Sequence, residues 1–256
     1  MKITGHIEQI FAQAVALEQS GGLRNTIYAI DREIYILSFD HSFLLRFGLK
    51  KTESPFSSPI SFRANDYDSE EFYEEDGKII FVTEKAGFTR KKSCGTPDIS
   101  PESVQQVFMD FQGEPGQMVE LHRDLLSLLD PELSHVEFSG TKKGGLSIVQ
   151  RNIYSGGIIE ITRTPSEGFI SSSDPIVRDF GPIAIKTGDL NAAFAFQDVL
   201  EFDFPDSEDR EFIRISSTDK IRRDTMGIIG CCIYDEIIEM KEASHGRKKQ
   251  EVRRNK

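Results

Sequence analysis

The stretch Ile7–Phe47 reads IEQIFAQAVALEQSGGLRNTIYAIDREIYILSFDHSFLLRF and combines two different hydrophobic periods. Its opening residues place apolar side chains at spacings of three and four, which is the pattern of one stripe on an amphipathic helix. The glycine pair Gly21–Gly22 ends that pattern. The residues that follow are rich in Ile, Tyr, Phe and Leu, and polar breaks at Asp31–Arg32 and Asp40–Ser42 divide them into consecutive strands. The stretch therefore predicts a short helix that leads into an antiparallel meander.

Turn and loop residues dominate the remainder of the first half. Lys51–Asp76 contains two prolines, a serine cluster and an acidic run, and it predicts a loop with one short strand at Ile60–Arg63. Strands are predicted at Lys78–Thr83 and Phe88–Lys92, with a turn at Ala86–Gly87 between them. The prolines and glycines that come next predict a segment that connects two domains, although its apolar residues indicate that it packs against another part of the protein: Val104, Val107, Phe108 and Phe111.

The second half of the chain repeats this order of elements. Met118–Leu129 has a broad apolar face at helical spacing, ends at Asp130–Pro131 and predicts a helix. A further helix is predicted at Thr187–Phe196, with Thr187 as its N-cap. Asp203 alternates with two phenylalanines, which predicts a position on the exposed face of a half-buried strand. The predicted strands of this half are Val136–Ser139, Gly145–Arg151, Gly157–Thr164, Pro182–Lys186, Val199–Phe204, Phe212–Ser217 and Met226–Met240.

These elements predict an α+β fold that is rich in strands, with antiparallel sheets, short helices and repeated helix-then-strands units. At 256 residues the chain has room for two domains. We place the first domain at residues 1–115, the second at 116–240 and a flexible basic tail at 241–256. The sequence shows no short repeat period, so a solenoid or a propeller is not expected.

Charge is unevenly distributed along the chain. The net charge is −11, although residues 241–256 hold seven Lys or Arg against two Glu and therefore have a net positive charge. The remaining body is more acidic still and cannot bind phosphate over its whole surface. No apolar run approaches the ~20 residues of a membrane span, and the first residues do not form a signal-peptide pattern, so a cytoplasmic protein is expected.

Residue types that commonly build active sites are scattered. The five histidines and three cysteines lack the spacing of a metal site, and the glycine pairs lack the other residues of a phosphate-binding loop. The acidic cluster Asp206–Asp209 does not follow the calcium-loop pattern and is expected at a solvated hairpin tip. The sequence therefore predicts a protein without a metal, a cofactor or an enzymatic activity.

Four stretches form one pattern of elements: Ile7–Phe47, Glu75–Ile80 followed by Phe88 and Pro97, Glu120–Leu129 as the helix that opens the second domain, and Lys186–Glu239. This pattern resembles the DNA sliding clamps, which are processivity factors of polymerases, and especially the two-domain clamps of T-even-like tailed phages. The resemblance lies in the order of elements and not in a signature motif. The family pattern also has a second helix between Arg63 and Glu75, which this sequence lacks.

The resemblance implies a ring that encircles duplex DNA and tethers a replicative polymerase. The implied partners are duplex DNA held by topology without base readout, a DNA polymerase, a clamp loader and further copies of the chain, with a trimer as the implied ring. Clamps also bind partner peptides in an apolar pocket near a domain junction. The implied setting is the cytoplasm of a phage-infected host cell, with no membrane partner. The candidate DNA-facing cations, which lie on or beside the helices and their turns, are Arg24, Lys50, Lys51, Arg90, Lys91, Lys92, Arg123, Lys142 and Lys143.

Two other functions are compatible with the same sequence. A structural β-protein of a phage virion or baseplate would have similar strands and loops and would have no DNA role. A nucleotide- or sugar-processing enzyme with a carboxylate site would need a cluster of acidic residues, which the sequence does not show. Dependence on DNA distinguishes a clamp from the structural protein, and tight binding of a metal or a nucleotide would indicate the enzyme.

Overall fold

The computed structural model describes residues 5–21, 24–50, 52–53, 55–68, 71–75, 78–95, 97–110, 116–141, 145–152, 155–163, 179–204, 212–217 and 225–230. The helices of these ranges are α1 (His6–Gly21), α2 (Pro101–Asp110) and α3 (Thr187–Phe194), with 3-10 helices at Ala64–Asp66 and Arg123–Leu128. The strands of the first half are β1 (Asn25–Ile30), β2 (Glu33–Ser38), β3 (Phe43–Gly48), β4 (Ile60–Arg63), β5 (Glu71–Glu75), β6 (Lys78–Lys85) and β7 (Phe88–Cys94). Those of the second half are β8 (Gln117–His122), β9 (His135–Thr141), β10 (Gly145–Arg151), β11 (Ile158–Arg163), β12 (Phe180–Lys186), β13 (Val199–Phe204), β14 (Phe212–Ser217) and β15 (Thr225–Gly230).

The described strands form three antiparallel sheets. The largest has the order β4-β1-β2-β3-β15-β14-β13-β8 and therefore contains strands from both halves of the chain. A four-stranded sheet has the order β11-β10-β9-β12, and a three-stranded sheet has the order β5-β6-β7. The strand-rich antiparallel fold with short helices that the sequence predicts is confirmed.

Four three-stranded meanders account for most of this architecture. They are β1-β2-β3, β5-β6-β7, β9-β10-β11 and β13-β14-β15. The first strand of three of these meanders also pairs with a single additional strand, β1 with β4, β9 with β12 and β13 with β8. The third strands of the first and last meanders pair with each other, because β3 lies beside β15. The chain is thus built from one strand unit used four times.

The β3–β15 pair joins the two halves of the chain and depends on a glycine. Gly227 lies opposite Leu45 on β3 and opposite Ile215 on β14. A Cβ atom at Gly227 would come within 2.7 Å of both side chains. Glycine therefore lets the apolar side chains of the two flanking strands pack over β15.

The main core lies between the sheets and helices α1 and α3. The apolar stripe of α1 is buried as the sequence predicts, and its central residue, Phe11, packs edge-on against Phe62 and Tyr67. Phe194 at the end of α3 packs against Phe202 on β13. Both helices belong to one continuous apolar cluster, so they cover the same side of the large sheet.

Helix α2 covers the opposite face of the large sheet. Its buried residues Val104 and Phe108 form a second cluster with Tyr28, Tyr35 and Leu44. Strand side chains alternate between faces, and these three positions alternate with residues of the main core. The large sheet is therefore apolar on both faces near the junction of the two halves.

The prediction of a helix at Met118–Leu129 is wrong. The structure has strand β8 there, which pairs along its whole length with β13, followed by the 3-10 helix Arg123–Leu128. In β8 the buried residues Gln117, Val119 and Leu121 alternate with half-buried ones. An apolar residue at every second position fits a strand as well as a helix when leucines follow closely, and pairing with β13 decides between them.

The segment that was predicted to connect domains contains α2, and two of the residues expected to pack, Val104 and Phe108, are buried. Ser100 accepts a hydrogen bond at its Oγ from the amide of Ser103, and Pro101 occupies the first helical position. A serine N-cap followed by proline is a common helix start. This local signal could have predicted the helix from the sequence.

Three further predictions are corrected by the structure. Lys51–Asp76 contains strand β5 and a 3-10 helix as well as the predicted strand at Ile60–Arg63. The N-cap of α3 is Lys186, while the hydroxyl of Thr187 donates to the carbonyl of Leu133. Asp203 is buried and not exposed, because Arg214 on β14 and the amide of Gly116 lie against its carboxylate. The part of the predicted strand Met226–Met240 that follows residue 230 lies outside the described residues.

Candidate functional site

An apolar groove lies on the outer face of the large sheet, between α2 and the strands at the junction of the two halves. Its volume is about 330 Å³, which is enough for a few side chains. Leu37 and Leu44 line it from the first half, and Phe212 and Gly230 line it from the second. The remaining wall is α2 with its preceding turn: Ile99, Ser103, Val104 and Val107.

A polar cluster fixes α2 against the sheet beside this groove. Glu33 accepts hydrogen bonds from Nε of Arg46 at 2.8 Å, from the hydroxyl of Tyr35 at 2.5 Å and from the amide of Gln105 on α2 at 2.9 Å. The Arg46 guanidinium also lies over the ring of Phe108, 5.6 Å from its centre. The cluster therefore binds α2 through one amide and one aromatic ring.

Burial opposes ionisation of Glu33, yet its surroundings favour the charged form. The hydrogen bonds from Tyr35 and Gln105 and the charge of Arg46 outweigh the loss of solvation and lower the pKa of Glu33. Burial and the neighbouring Glu33 raise the pKa of Tyr35. The cluster consequently remains an ion pair with a neutral tyrosine over the whole physiological pH range.

The three described sheets end in six edge strands, and two of these, β7 and β11, carry large exposed apolar side chains. β7 has β6 on one side, and β11 has β10 on one side, with no described strand on the other. Both edges present apolar side chains to solvent: Phe88 on β7 is 80% exposed and Ile158 on β11 is 59% exposed. An open edge with unpaired backbone groups and exposed apolar side chains favours association with another strand.

The hairpin geometry shows which backbone groups point outward on these edges. Lys85 and Phe88 flank the predicted two-residue turn, whose residues Ala86 and Gly87 have φ of 52° and 80°. Because such a turn closes on a hydrogen-bonded pair, alternate residues such as Lys91 direct their N–H and C=O groups away from β6. On β11 the hydrogen bond from the N–H of Asn152 to the carbonyl of Gly157 marks a hydrogen-bonded pair. Counting alternate residues from Gly157, the N–H and C=O groups of Glu160 point away from β10.

The structure brings three of the nine predicted DNA-facing cations together on the open strand β7. Lys91 lies on one face and donates to the hydroxyl of Tyr73 at 2.9 Å. Arg90 and Lys92 lie on the other face, where they form ion pairs with Asp68 and Asp66. This strand is therefore both a basic stripe and a sheet edge.

The remaining predicted cations are dispersed. Arg24 precedes β1 and packs over the exposed ring of Phe39, and Lys50 is exposed just after β3. Arg123 begins a 3-10 helix and lies 3.5 Å from the carboxylate of Asp198. Arg63, which the sequence reasoning missed, shares a polar pocket with Arg24. Lys51, Lys142 and Lys143 lie outside the described residues.

The described ranges show neither a metal site nor a membrane-spanning helix. No group of three or more His, Cys, Asp or Glu side chains in these ranges is placed to hold a metal ion. Among the helices described, none combines the length and the hydropathy of a bilayer span. The described cysteine, Cys94, is buried, and burial is the main reason why the pKa of its thiol is raised.

The chain is similar to known proteins in structure and not in sequence. No family profile matches the sequence, and no curated protein is significantly similar to it. The chain resembles the crystal structure of proliferating cellular nuclear antigen from Entamoeba histolytica, with a TM-score of 0.51 and 12% identity over 88% of this chain and 95% of that one.

Two structures of the Helicobacter pylori beta clamp are also similar. In the complexes with 3,4-difluorobenzamide and 5-chloroisatin the TM-scores are 0.60 and 0.61, and the identities are 11% and 12%. Both alignments cover 91% of this chain but 65% of the beta clamp, so the chain spans about two thirds of that protein's length. The chain therefore has the fold of the sliding clamps.

Proposed function

We propose that this protein is a DNA sliding clamp of the two-domain type, which closes into a ring around duplex DNA and tethers a replicative polymerase. The domains would be residues 1–115 and 116–240, with two strand units in each. Residues 241–256 would be a basic tail. The ring would be non-enzymatic, would be opened by a clamp loader and, by resemblance to T-even-like phage clamps, would contain three copies.

The observation that carries this proposal is the position of the edge strands β7 and β11. Of the four meanders, the first and fourth already join through their third strands, β3 and β15. The third strands of the second and third meanders, β7 and β11, have no described neighbour on their outer side. If β7 of one copy pairs with β11 of the next, it repeats between copies the joint that exists within the chain, and such a head-to-tail contact gives a ring when the rotation between copies closes.

The positions of the helices support a ring with α1 and α3 on its inner surface. α1 and α3 cover one side of the large sheet, and a ring built on the β3–β15 joint would place them together on one surface. The most exposed side chains of α1 are Gln9, Ala12, Ala16 and Gln19, with no Lys or Arg. Contact with phosphates would therefore depend on cations next to the helices, including Arg90, Lys92 and Arg123. Weak contacts of this kind suit a protein that slides.

The groove beside α2 would bind the polymerase. It lies on the sheet face opposite the helices that would line the hole, so a bound partner would sit outside the ring. Its apolar walls suit a short peptide that inserts a few large apolar side chains. Strands β2, β3, β14 and β15 from both halves form its base, as expected for a pocket at a domain junction.

Retention on closed DNA tests this function. Full-length protein is diluted to dissociate oligomers, mixed with nicked circular DNA and then concentrated, so that rings can close around the circle without a loader. We expect the protein to co-elute with circular DNA at high salt and to be released when a restriction enzyme linearises the circle. Equal binding to both forms would indicate ordinary affinity, and absence of DNA binding would favour a structural protein of a virion or baseplate.

A further inference from the structure

A buried carboxylate lies at the junction between the two halves of the chain. Asp189, in the first turn of α3, is completely buried, and its Oδ1 lies 2.8 Å from the hydroxyl of Ser42 in the turn between β2 and β3. Its other oxygen, Oδ2, is buried without a hydrogen-bond partner. A fully buried, ionised carboxylate with one unpaired oxygen is unfavourable, so this environment does not favour an ionised Asp189.

The hydroxyl of Ser42 contacts two carboxylates at once. Its Oγ lies 2.9 Å from Oδ1 of Asp40 and 2.8 Å from Oδ1 of Asp189. A hydroxyl carries one proton and can donate only one hydrogen bond. One of the two contacts therefore needs a proton supplied by the carboxylic acid itself.

The surroundings assign that proton to Asp189. Asp40 is half exposed, and the ammonium of Lys186 lies 2.6 Å from its Oδ2, so it is the ionised partner. Burial opposes the ionisation of Asp40, but the hydrogen bonds from Lys186 and Ser42 lower its pKa. Burial raises the pKa of Asp189 to about 6, with the negative charge of Asp40 adding to the effect.

We propose that Asp189, Ser42 and Asp40 form a proton-dependent joint between the two halves: a proton on Asp189 holds the β2–β3 turn on α3, and its loss weakens that contact. The carbonyl of Ser42 also accepts a hydrogen bond from the amide of Gly230, the last described residue of β15, at 2.8 Å. The joint therefore connects α3, the β2–β3 turn and the end of β15.

This joint lies beneath the apolar groove. His41 and Ser42 in the turn, and Gly230 on β15, line the groove. Release of the turn would change the groove's floor, so partner binding would respond to pH. That last consequence rests on the proposed function, whereas the joint itself does not.

The direction of the pH effect follows from the raised pKa. The closed joint favours the protonated acid, so its stability is greatest below the ordinary pKa of 3.8 and falls as pH rises through about 6. With a pKa of 3.8 for Asp189 in the open joint and about 6 in the closed joint, the equilibrium constant for opening is expected to rise about tenfold between pH 5 and pH 8. The other charged and titratable groups around the joint are Asp40, His41 in the same turn, Lys186 and His135 beside Lys186, with Glu137 behind it. Burial and Lys186 lower the pKa of His135, so an opening that also exposed His135 would have a pH dependence of opposite sign.

Amide hydrogen exchange in the full-length protein tests the proposal. We expect the protection factor of the Gly230 amide, corrected for intrinsic exchange, to fall about tenfold between pH 5 and pH 8. Asp189→Asn imitates the protonated acid, since its amide group can donate to Ser42, and should make this protection constant. His135→Gln and the exposed-site control Asp198→Asn should both keep the tenfold change.

A second variant keeps the proposal testable if Asp189→Asn does not fold. Asp40→Asn removes the competing acceptor and its charge, leaving Ser42 free to donate to Asp189. The midpoint of the protection change should then shift to lower pH. A wild-type protein with equal protection at both pH values, an Asp189→Asn protein that keeps the tenfold change, or an Asp40→Asn protein with an unshifted midpoint would each overturn the joint.

Discussion

Two carboxylates are fully or almost fully buried among the described residues, and their neighbours differ. Asp203 accepts hydrogen bonds from Nε and Nη2 of Arg214 on the adjacent strand and from the amide of Gly116 at 2.6 Å. Asp189 has one hydroxyl and one unpaired oxygen. Asp203 is thus the anion of a buried ion pair, and it fixes the start of β8 to β13.

Replacement of Asp203 should destabilise the protein strongly. Asp203→Ala removes the carboxylate from Arg214 and leaves the Gly116 amide without this acceptor, and we expect a loss of about 3 kcal/mol in the free energy of unfolding. Urea denaturation checks the value. The matched control is Asp198→Ala, which removes an exposed ion pair with Arg123 and should change stability by less than about 0.5 kcal/mol. Equal losses in the two variants would contradict the structural role of Asp203.

The burial of Asp203 could not be predicted from its own strand. Alternation between Phe202 and Phe204 correctly indicates that neighbouring side chains face the core, but it assumes that the other face of β13 meets water. The partner that makes burial possible, Arg214, lies on β14 and becomes adjacent only through strand pairing. Pair geometry of this kind requires the sheet register, which the sequence does not state.

At the scale of elements, α2 is held by few contacts and forms one wall of the groove. Phe108 is its most buried large side chain; it packs edge-on against Tyr35 at 5.9 Å and lies under the guanidinium of Arg46. The other buried residues of α2 are Pro101 and Val104, whereas Met109 is exposed. The attachment of α2 to the sheet therefore depends mainly on Phe108 and on the Glu33 cluster.

Truncation of Phe108 should release α2 without unfolding the sheets. Phe108→Ala removes a buried ring at a cost of about 3 kcal/mol, so amide protection along α2 should fall by roughly two orders of magnitude. Met109→Ala on the same helix should leave the protection almost unchanged. Hydrogen exchange measured by mass spectrometry compares the two variants. Undiminished protection of α2 in Phe108→Ala would show that other contacts hold the helix.

The elements that could be predicted are those whose local pattern is unambiguous. α1 has a long stripe at helical spacing, and β1 to β3 have consecutive apolar runs with clear polar breaks, so both were correct. Met118–Leu129 failed because leucines after a half-alternating strand imitate a helical face. α2 failed because its apolar residues are few, although its serine cap and proline mark its start.

At the scale of the whole molecule, the resemblance of element order anticipated the sliding-clamp fold. The groove could not be placed residue by residue, because its lining comes from four strands and one helix distant in sequence. The open edges were equally hidden, since an edge is defined by which strands lie next to it in the sheet. The topology also places three of the predicted cations, Arg90, Lys91 and Lys92, on one of the edges through which copies would join.

The solution mass of the full-length protein, measured by light scattering with two variants of Lys91, tests the central claim most directly. Lys91→Pro removes an outward N–H from the open edge of β7, and Lys91→Ala removes the same side-chain contacts but keeps that N–H. We predict that the wild-type protein and Lys91→Ala have a mass about three times the 28.9 kDa of one chain, and that Lys91→Pro is a folded monomer. A monomeric wild-type protein, or a Lys91→Pro protein with the wild-type mass, would contradict the ring.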